Sequence, residues 1–562
     1  MERIPFIIGY GGINAAGLSS TDQAYLNMVA SKLGEDKQRS LIASLCAIRN
    51  QETLTGLDSM DGDALQSALA AQHKNFFIRQ IPPHLFNTRT TPYYRFNGKE
   101  ERFPISFAAT LPDGFELSGL YNSLHHPRGL QLAVFAANDA LGVAGLDSER
   151  IHQAIEPHRC AVYAGSALGQ LDQDSMEGML TAVLRKKKTI TKQLPFSYPQ
   201  MAADFVNAYV LKNVGQTGNQ CGACATFLYN LSHAVTQIKS GEIELALVGA
   251  SEAPIMPQII TAFYNMGALT SDQKIASLNP RYASIPFGDN HGFVMAEAAQ
   301  FVVLASTEAA YRLGAIIYGM VSDVFISADG GKHSISAPGP GNYVTVGRAA
   351  AALERLYGRE VLRHKSYVQA HGTSTPQNRV TESHIFSSVA GAFGIDEWDI
   401  VAIKSYIGHS QAAAGGDQLV NSLSFWQHGI LPGIESVSQL AEDVVTKNLR
   451  FNLAHKEIGI DEMDAVLVNA KGFGGNNATA VISSPKLAQT LFVKQLGSKA
   501  LRTNHKAADQ TEKKQQEYLV QASRGKFNIR YDFDNAVVGT EDVKLSRSGV
   551  QIRNYPKIRF DK

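Results

Sequence analysis

Residues 219–250 read N-Q-C-G-A-C-A-T-F-L-Y-N-L-S-H-A-V-T-Q-I-K-S-G-E-I-E-L-A-L-V-G-A. Phe227, Leu228, Leu231, Ala234, Val235 and Ile238 fall on one face of a helix, Gly241 offers a stop, and Ile243–Ala250 reads as a buried strand. A turn, a buried helix and a buried strand in succession point to an α/β fold with covered sheets. Cys224 stands in the turn, at the mouth of the helix. Free backbone N–H groups and the positive helix end favour thiolate there, so the position predicts a thiol pKa below its usual value of about 8.5.

The same grammar recurs on both sides. I-P-F-I-I-G-Y-G-G-I-N (4–14) is a strand running into a glycine turn, without the G-x-G-x-x-G spacing of a dinucleotide site. Asp22–Ile48 reads as a helix with the aspartate as N-cap, Gln51–Leu120 as loops and short helices, and Leu130–Leu141 as an apolar helix. Ala161–Ala167, Ser366–Pro376, Val401–Ser410 and Ala465–Ser484 each hold a strand that ends in small residues. Loops at strand ends are where such folds assemble sites, and these come from both halves of the chain. One site at the junction of two similar halves is therefore expected.

Bulk properties narrow the class. The 562 residues, 44% hydrophobic and 18% charged, have the composition of a soluble globular protein. No apolar run approaches the ~18 residues needed to cross a membrane, and the opening M-E-R-I-P-F makes a poor signal peptide. Four cysteines in so long a chain argue for a reducing compartment, so a cytoplasmic location is expected. The net charge of +1 hides a basic segment: from Lys486 onward there are 16 Lys and Arg against 8 Asp and Glu. A nucleic-acid partner fits such a tail, but no binding motif accompanies it; a tail packed on an acidic body fits equally. Within it, Ala507–Ser523 reads as a helix, and K-F-N-I-R-Y-D-F (526–533) and D-V-K-L-S-R-S-G-V-Q-I (542–552) as strands.

Locally, Cys224 has three readings. It is a nucleophile, one half of a Cys221-x-x-Cys224 redox pair, or a small core residue. Zinc is excluded by the lack of a second C-x-x-C. His371 and His409 each follow a buried strand and stand beside glycine, which adds imidazole donors to the thiol.

A-C-A-T (223–226), H-G-T-S-T-P (371–376), K-S-Y-I-G-H-S (404–410) and G-F-G-G-N-N-A (472–478) stand in the order seen in β-ketoacyl-acyl carrier protein synthases, which this chain resembles. F-Y-N-M-G-A-L-T (263–270) and P-F-G-D-N-H-G-F-V-M-A-E-A (286–298) add to the likeness, which covers roughly residues 4–484. The resemblance implies a thiolase-like five-layered α/β/α/β/α sandwich of two related halves. Its halves are drawn here as 1–260, with the nucleophilic cysteine, and 261–485, with the histidines and glycine loop; 486–562 form a basic C-terminal extension.

The resemblance also implies roles. Cys224 accepts the acyl group, His371 and His409 hydrogen-bond the malonyl thioester carbonyl, and Lys404 and Glu382 position the histidines. Backbone N–H groups of Cys224 and Phe473 hold the oxyanion. Phe473 between Gly472 and Gly474 gates the site, and Thr373, Thr375 and Phe263 bind substrate. The implied reaction is decarboxylative Claisen condensation of an acyl primer with malonyl-acyl carrier protein in fatty-acid biosynthesis. The implied partners are acyl carrier protein, acyl-coenzyme A or acyl-carrier protein, and a second copy in a homodimer. No metal or resident cofactor is implied, since the phosphopantetheine arm arrives on the substrate; no nucleic acid or membrane partner is implied either.

Three positions depart from the common family pattern: Asn378-Arg379, Asp417-Gln418, and Lys471 where an aromatic is usual. None removes a bond-making residue. They resemble the FabY-type branch, which starts chains from acetyl-coenzyme A. The alternatives are an elongating fatty-acid or polyketide synthase, a non-catalytic partner subunit, a degradative thiolase and a C-x-x-C oxidoreductase.

Overall fold

Strand β1 (Phe6–Asn14) is buried at every position because helices cover both faces of its sheet. In the computed structural model, which describes residues 3–51, 56–73, 77–81, 93–96, 99–102, 104–275, 279–497, 504–535 and 537–560, it lies near the middle of a twelve-stranded sheet. The other principal strands are β2 (Cys160–Gly165), β3 (Gln216–Gly218), β4 (Leu245–Glu252), β5 (Ala298–Ala305) and β6 (Gly319–Ala328). They continue with β7 (Ser366–Gln369), β8 (Trp398–Val401), β9 (Leu449–Phe451), β10 (Ala465–Gly472) and β11 (Asn476–Ser483). Gly17–Leu18 pairs at the end of β1.

The order is β9-β8-β7-β10-β11-β6-β1-β5-β4-β2-β3. Read outward from the short β1–β6 contact, each half makes two antiparallel pairings and then two parallel ones. The two halves therefore repeat one topology, with β9 added to the second. Strand β5 lies beyond the boundary drawn after residue 260, yet it pairs between β1 and β4 within the first half.

Strand periodicity of two sorts side chains into layers. On β4 and β5, Ala246, Val248, Val302 and Leu304 enter one core, whereas Leu245, Leu247, Phe301 and Val303 enter a second. On β10, Val466 and Val468 return to the first core, and Leu467 enters a third. The shared core holds the apolar faces of two helices, α2 (Thr226–Ser240) and α5 (Ala414–His428). The second core holds α1 (Arg128–Val143), and the third holds α3 (Gly341–Tyr357) and α4 (Pro376–Phe393). Helix, sheet, helix pair, sheet, helix is the five-layered sandwich expected. Each buried Phe or Leu on α2 contributes about 1.5–3 kcal/mol.

Close approach of the two central helices depends on glycine. A Cβ on Gly416 would lie 2.9 Å from the Phe227 ring, and one on Gly415 3.1 Å from Leu228.

Three expectations need correction. Asp22–Ile48 is not one helix: Gln23–Met28 and Glu35–Ile48 are separated by a short turn and Gly34. Asp22 does not cap, because its carboxylate accepts from Tyr10 Oη, Ser424 Oγ and His428 Nε2 instead. Residues 526–533 form no strand; Arg530 exchanges hydrogen bonds with Asn138 on α1, and Phe527 packs on Phe115 and Phe135. Within Gln51–Leu120 there is a helix, Gly62–His73, and a hairpin, Tyr93–Phe96 with Lys99–Arg102. The turn signals at 82–84 and 90–92 lie outside the described residues.

The tail packs on the body. Helices α6 (Pro485–Leu496) and α7 (His505–Ala522) follow β11; Phe492 of α6 meets Phe6 edge-on, and Tyr518 of α7 covers Gly142 of α1. Its charges pair inward: Lys514 with Asp147, and Arg530 with both oxygens of Glu149 at 2.7 Å. The last part forms its own three-stranded sheet from Val543–Ser546, Gly549–Ile552 and Ile558–Arg559. Among the described residues no single helix is long and apolar enough to cross a membrane.

Candidate active site

Cys224 sits in a tight turn, Ala223–Ala225, that feeds directly into α2. The end of β10 crosses over this turn. A Cβ on Gly472 would come within 2.1 Å of Gly222 O and 3.0 Å of the Cys224 nitrogen, so only glycine lets the strand pass. The crossing brings Phe473 near the sulfur, where its N–H and that of Cys224 itself favour the thiolate. Gly474 and Gly475, at φ of 92° and 91°, then turn the chain back into β11. Phe473 is left 36% exposed at the lip.

The sulfur is buried and donates to Gln411 Oε1 at 3.2 Å. Burial pushes the thiol up to about 12; Lys404 and the two N–H groups oppose that rise, and Glu252 adds to it. The expected depression is thus reversed. A helix end gains about 0.3–2 kcal/mol for a negative charge, whereas full desolvation of a thiolate shifts the balance by more. Cys224 rests as a thiol.

Two histidines share the cleft. His371 follows β7, and Glu382 on α4 fixes its backbone by accepting from the N–H of His371 at 2.6 Å and of Gly372 at 2.8 Å. Lys404 Nζ donates to the His371 carbonyl at 2.5 Å. His409 is pinned by its backbone N–H to Val294 O and by Ala296 N–H to its own carbonyl. The rings meet edge to face with centroids 5.3 Å apart, and Phe293 stands edge-on to His409 at the same distance.

Both imidazoles are held well below their ordinary range, first by burial and then by the Lys404 charge, so each is neutral at pH 7. Each Nδ1 is buried without a hydrogen-bond partner among the described residues. Burial also draws Lys404 down to about 8, against the pull of Glu382, Cys224 and Asp417.

Cys224, His371, His409, Thr373, Thr375, Gly472, Phe473 and Gly474 all line one cleft. The hydroxyls of Thr373 and Thr375 lie 3.0 Å apart, and Asn378 Oδ1 accepts from the Thr373 N–H. Lys404 and Glu382 are set behind the cleft and act on backbone, not on ring nitrogens. Phe263 is also behind it, packed on Phe293 and Phe473 with centroids 5.3 and 6.1 Å away.

The departures have structural uses. Arg379 grips both oxygens of Asp443, at 2.7 and 3.0 Å. Gln418 Nε2 faces three carbonyls, those of Gln369, Ala370 and Asn469, a task that needs an N–H donor and that a carboxylate cannot perform. The Asp417 carboxylate takes Ser410 Oγ at 2.6 Å, with Asn14 and Gln300.

Sequence reasoning missed Gln411, Phe293 and Glu252. Superposing the two halves points to the first, since Gln411–Ala413 leads into α5 as Ala223–Ala225 leads into α2. Cys221 is exposed and unpaired, and its sulfur faces Ala167 O at 3.9 Å. Among the described residues no cluster has the make-up of a metal site.

The sequence matches two family descriptions, "Beta-ketoacyl synthase, N-terminal domain" over residues 125–310 and "Beta-ketoacyl synthase, C-terminal domain" over 318–438. It is 36% identical to the Pseudomonas aeruginosa β-ketoacyl-[acyl-carrier-protein] synthase FabY across 99% of this chain and 97% of that one. The crystal structure of the noncanonical ketosynthase FabY from P. aeruginosa superposes with a TM-score of 0.92 over the whole of this chain and 98% of that one, at 35% identity. A Synechocystis 3-oxoacyl-[acyl-carrier-protein] synthase 2 is 28% identical over 63% of this chain and 80% of its own length. At 20% identity and a TM-score of 0.62, a type II polyketide ketosynthase solved with its acyl-carrier protein shares the fold, over 86% of this chain and all of that one.

Proposed function

The chain belongs to the β-ketoacyl synthase family, and on that premise we propose that it joins an acyl group to a malonyl-derived two-carbon unit in fatty-acid synthesis, with Cys224 as the acyl carrier between the two steps. The observation that carries this reading is the convergence on one cleft of the Cys224 sulfur and two neutral imidazoles, with the backbone of Phe473 beside them.

In the first step the Cys224 sulfur attacks a thioester carbonyl. The new C–S bond forms as the old one breaks, and the thiol proton ends on the departing carrier thiol. The tetrahedral oxygen develops its charge against the N–H groups of Cys224 and Phe473. In the second step malonyl loses CO2, and the electron pair of the broken C–C bond passes into an enolate whose oxygen takes N–H bonds from His371 and His409. Neutral imidazoles suit this work, since each donates a hydrogen bond without surrendering a proton. The enolate carbon then attacks the acyl carbon, the C–S bond breaks, and Cys224 leaves as a thiolate that takes a proton from water.

Thr373 and Thr375 lie where the pantetheine arm would enter, so the protein needs no cofactor of its own beyond what acyl carrier protein or coenzyme A brings. Full-length similarity to the Pseudomonas FabY favours a chain-starting role with acetyl-coenzyme A as primer. Among the described residues strand β3 has a sheet neighbour on one side only, so a second copy would extend the sheet there into a homodimer. We place the enzyme in the cytoplasm, where its four free thiols stay reduced.

Intact-mass measurement after incubation with acetyl-coenzyme A or acetyl-carrier protein tests the reading. The wild type should gain one acetyl group and release it as a β-ketoacyl product on adding malonyl-carrier protein. A Cys224→Ala protein that still gained the acetyl mass would reject it.

A further inference from the structure

One residue before the end of strand β10 stands Lys471, whose side chain lines the same cleft as Cys224 and His371. Its ammonium has three protons to donate, and among the described residues its one hydrogen-bond partner is Thr381 Oγ1 at 3.3 Å. That hydroxyl is itself committed to the Gln377 carbonyl. No carboxylate stands within ion-pair distance of Lys471 among the described residues. The two whose fields reach it are occupied: Glu382 by the N–H groups of His371 and Gly372 and the Asn469 amide, Asp329 by Gly341 N–H, Asn477 and Lys332. A cation largely withdrawn from water with so few partners is unfavourable until an anion joins it.

We propose that Lys471 receives the free carboxylate of the malonyl thioester and thereby distinguishes the second substrate from the acyl primer loaded first. This rests on the two-step reading given above. The two thioesters present the same carbonyl, sulfur and pantetheine arm; near the reacting atoms, the charge that differs between them is the malonyl carboxylate. Two observations set Lys471 at the depth of the reacting atoms. It lines the cleft together with Cys224 and His371, and it adjoins Gly472, whose Cβ position lies 3.0 Å from the Cys224 nitrogen. The phosphate of a pantetheine arm would lie at the far end of that arm, outside.

The negative charge stays largely on the carboxylate until the C–C bond breaks, so the pairing serves the bound ground state and the transition state nearly alike. Its loss should therefore appear in KM and little in kcat.

The test uses full-length Lys471→Met and Lys471→Arg. Primer loading from acetyl-coenzyme A is timed by intact mass, and condensation is followed against malonyl-carrier protein concentration, after melting curves confirm folding. Lys471→Met should raise the malonyl KM about tenfold or more, with kcat within about threefold and loading within about twofold; Lys471→Arg should recover most of the loss. Loading and malonyl KM worsening together would instead assign the anion as the arm's phosphate. A fall in kcat alone would make Lys471 an enolate donor, and no change would make it a bystander; each overturns the proposal. Failure of the two-step reading itself would look different, because the wild type would then form no C–C product.

Discussion

Cys224 Sγ lies 3.2 Å from Gln411 Oε1, and the two residues belong to matching turns at the heads of the two central helices. Ala223 and Gln411 carry the positive φ of their turns, 51° and 48°. The second half's turn thus supplies the acceptor for the first half's thiol.

Replacing that acceptor with a charge tests the contact. Gln411→Glu sets a carboxylate beside a sulfur that must become negative, which disfavours the thiolate further. Loading of acetyl on Cys224 should slow by more than about tenfold at pH 7. Equal rates for the variant and the wild type would show that the contact is not kept in solution.

The histidines should separate the two steps. His371→Ala or His409→Ala removes a donor to the developing enolate, worth about 10²–10³ in rate. Condensation should fall by that factor, while acyl loading, followed by mass, changes only a few-fold.

Loading should climb with pH. Burial holds the Cys224 thiol at about 12, so the thiolate fraction rises roughly tenfold per unit across pH 6–9. A log-rate plot of slope near one is expected. A plateau below pH 8 would mean that an internal base removes the proton.

Acid should loosen the fold through the same histidines. Their folded values lie below the ordinary 6.5, so the unfolded chain binds more protons as pH falls through 6.5 and stability drops, by up to about 1.4 kcal/mol per unit for each ring. The stability is fully present above pH 6.5. Thermal melts from pH 7.5 to 5 should show this slope, and a His371→Gln/His409→Gln protein should show a shallower one.

The tail's hold on the body can be probed at one hydroxyl. Tyr518 Oη donates to Asp139, a buried carboxylate that also accepts from Gly12 N–H at 2.7 Å. Tyr518→Phe removes a donor and should lower stability by about 1–3 kcal/mol, read from denaturant curves.

The cysteine turn, both histidine loops and the glycine loop could be read directly from sequence, because each pairs a strand pattern with an unusual small-residue ending. The layering could be read as well, since strands covered on both faces are apolar throughout. The direction of the Cys224 shift could not, because desolvation depends on what distant segments place over the sulfur. Gln411 escaped notice because an amide in an alanine-glycine run carries no chemical signal until the two halves are superposed. Residues 526–533 alternate like a strand, but they meet α1 instead of a sheet edge.

The repeated halves leave an unequal inheritance. Where one head turn bears sulfur, its twin bears an amide that forms no thioester. On the two-step reading, stoichiometry follows from this architecture: however much donor is supplied, each polypeptide should store a single acyl group, and a new primer should wait until the previous one has left as product.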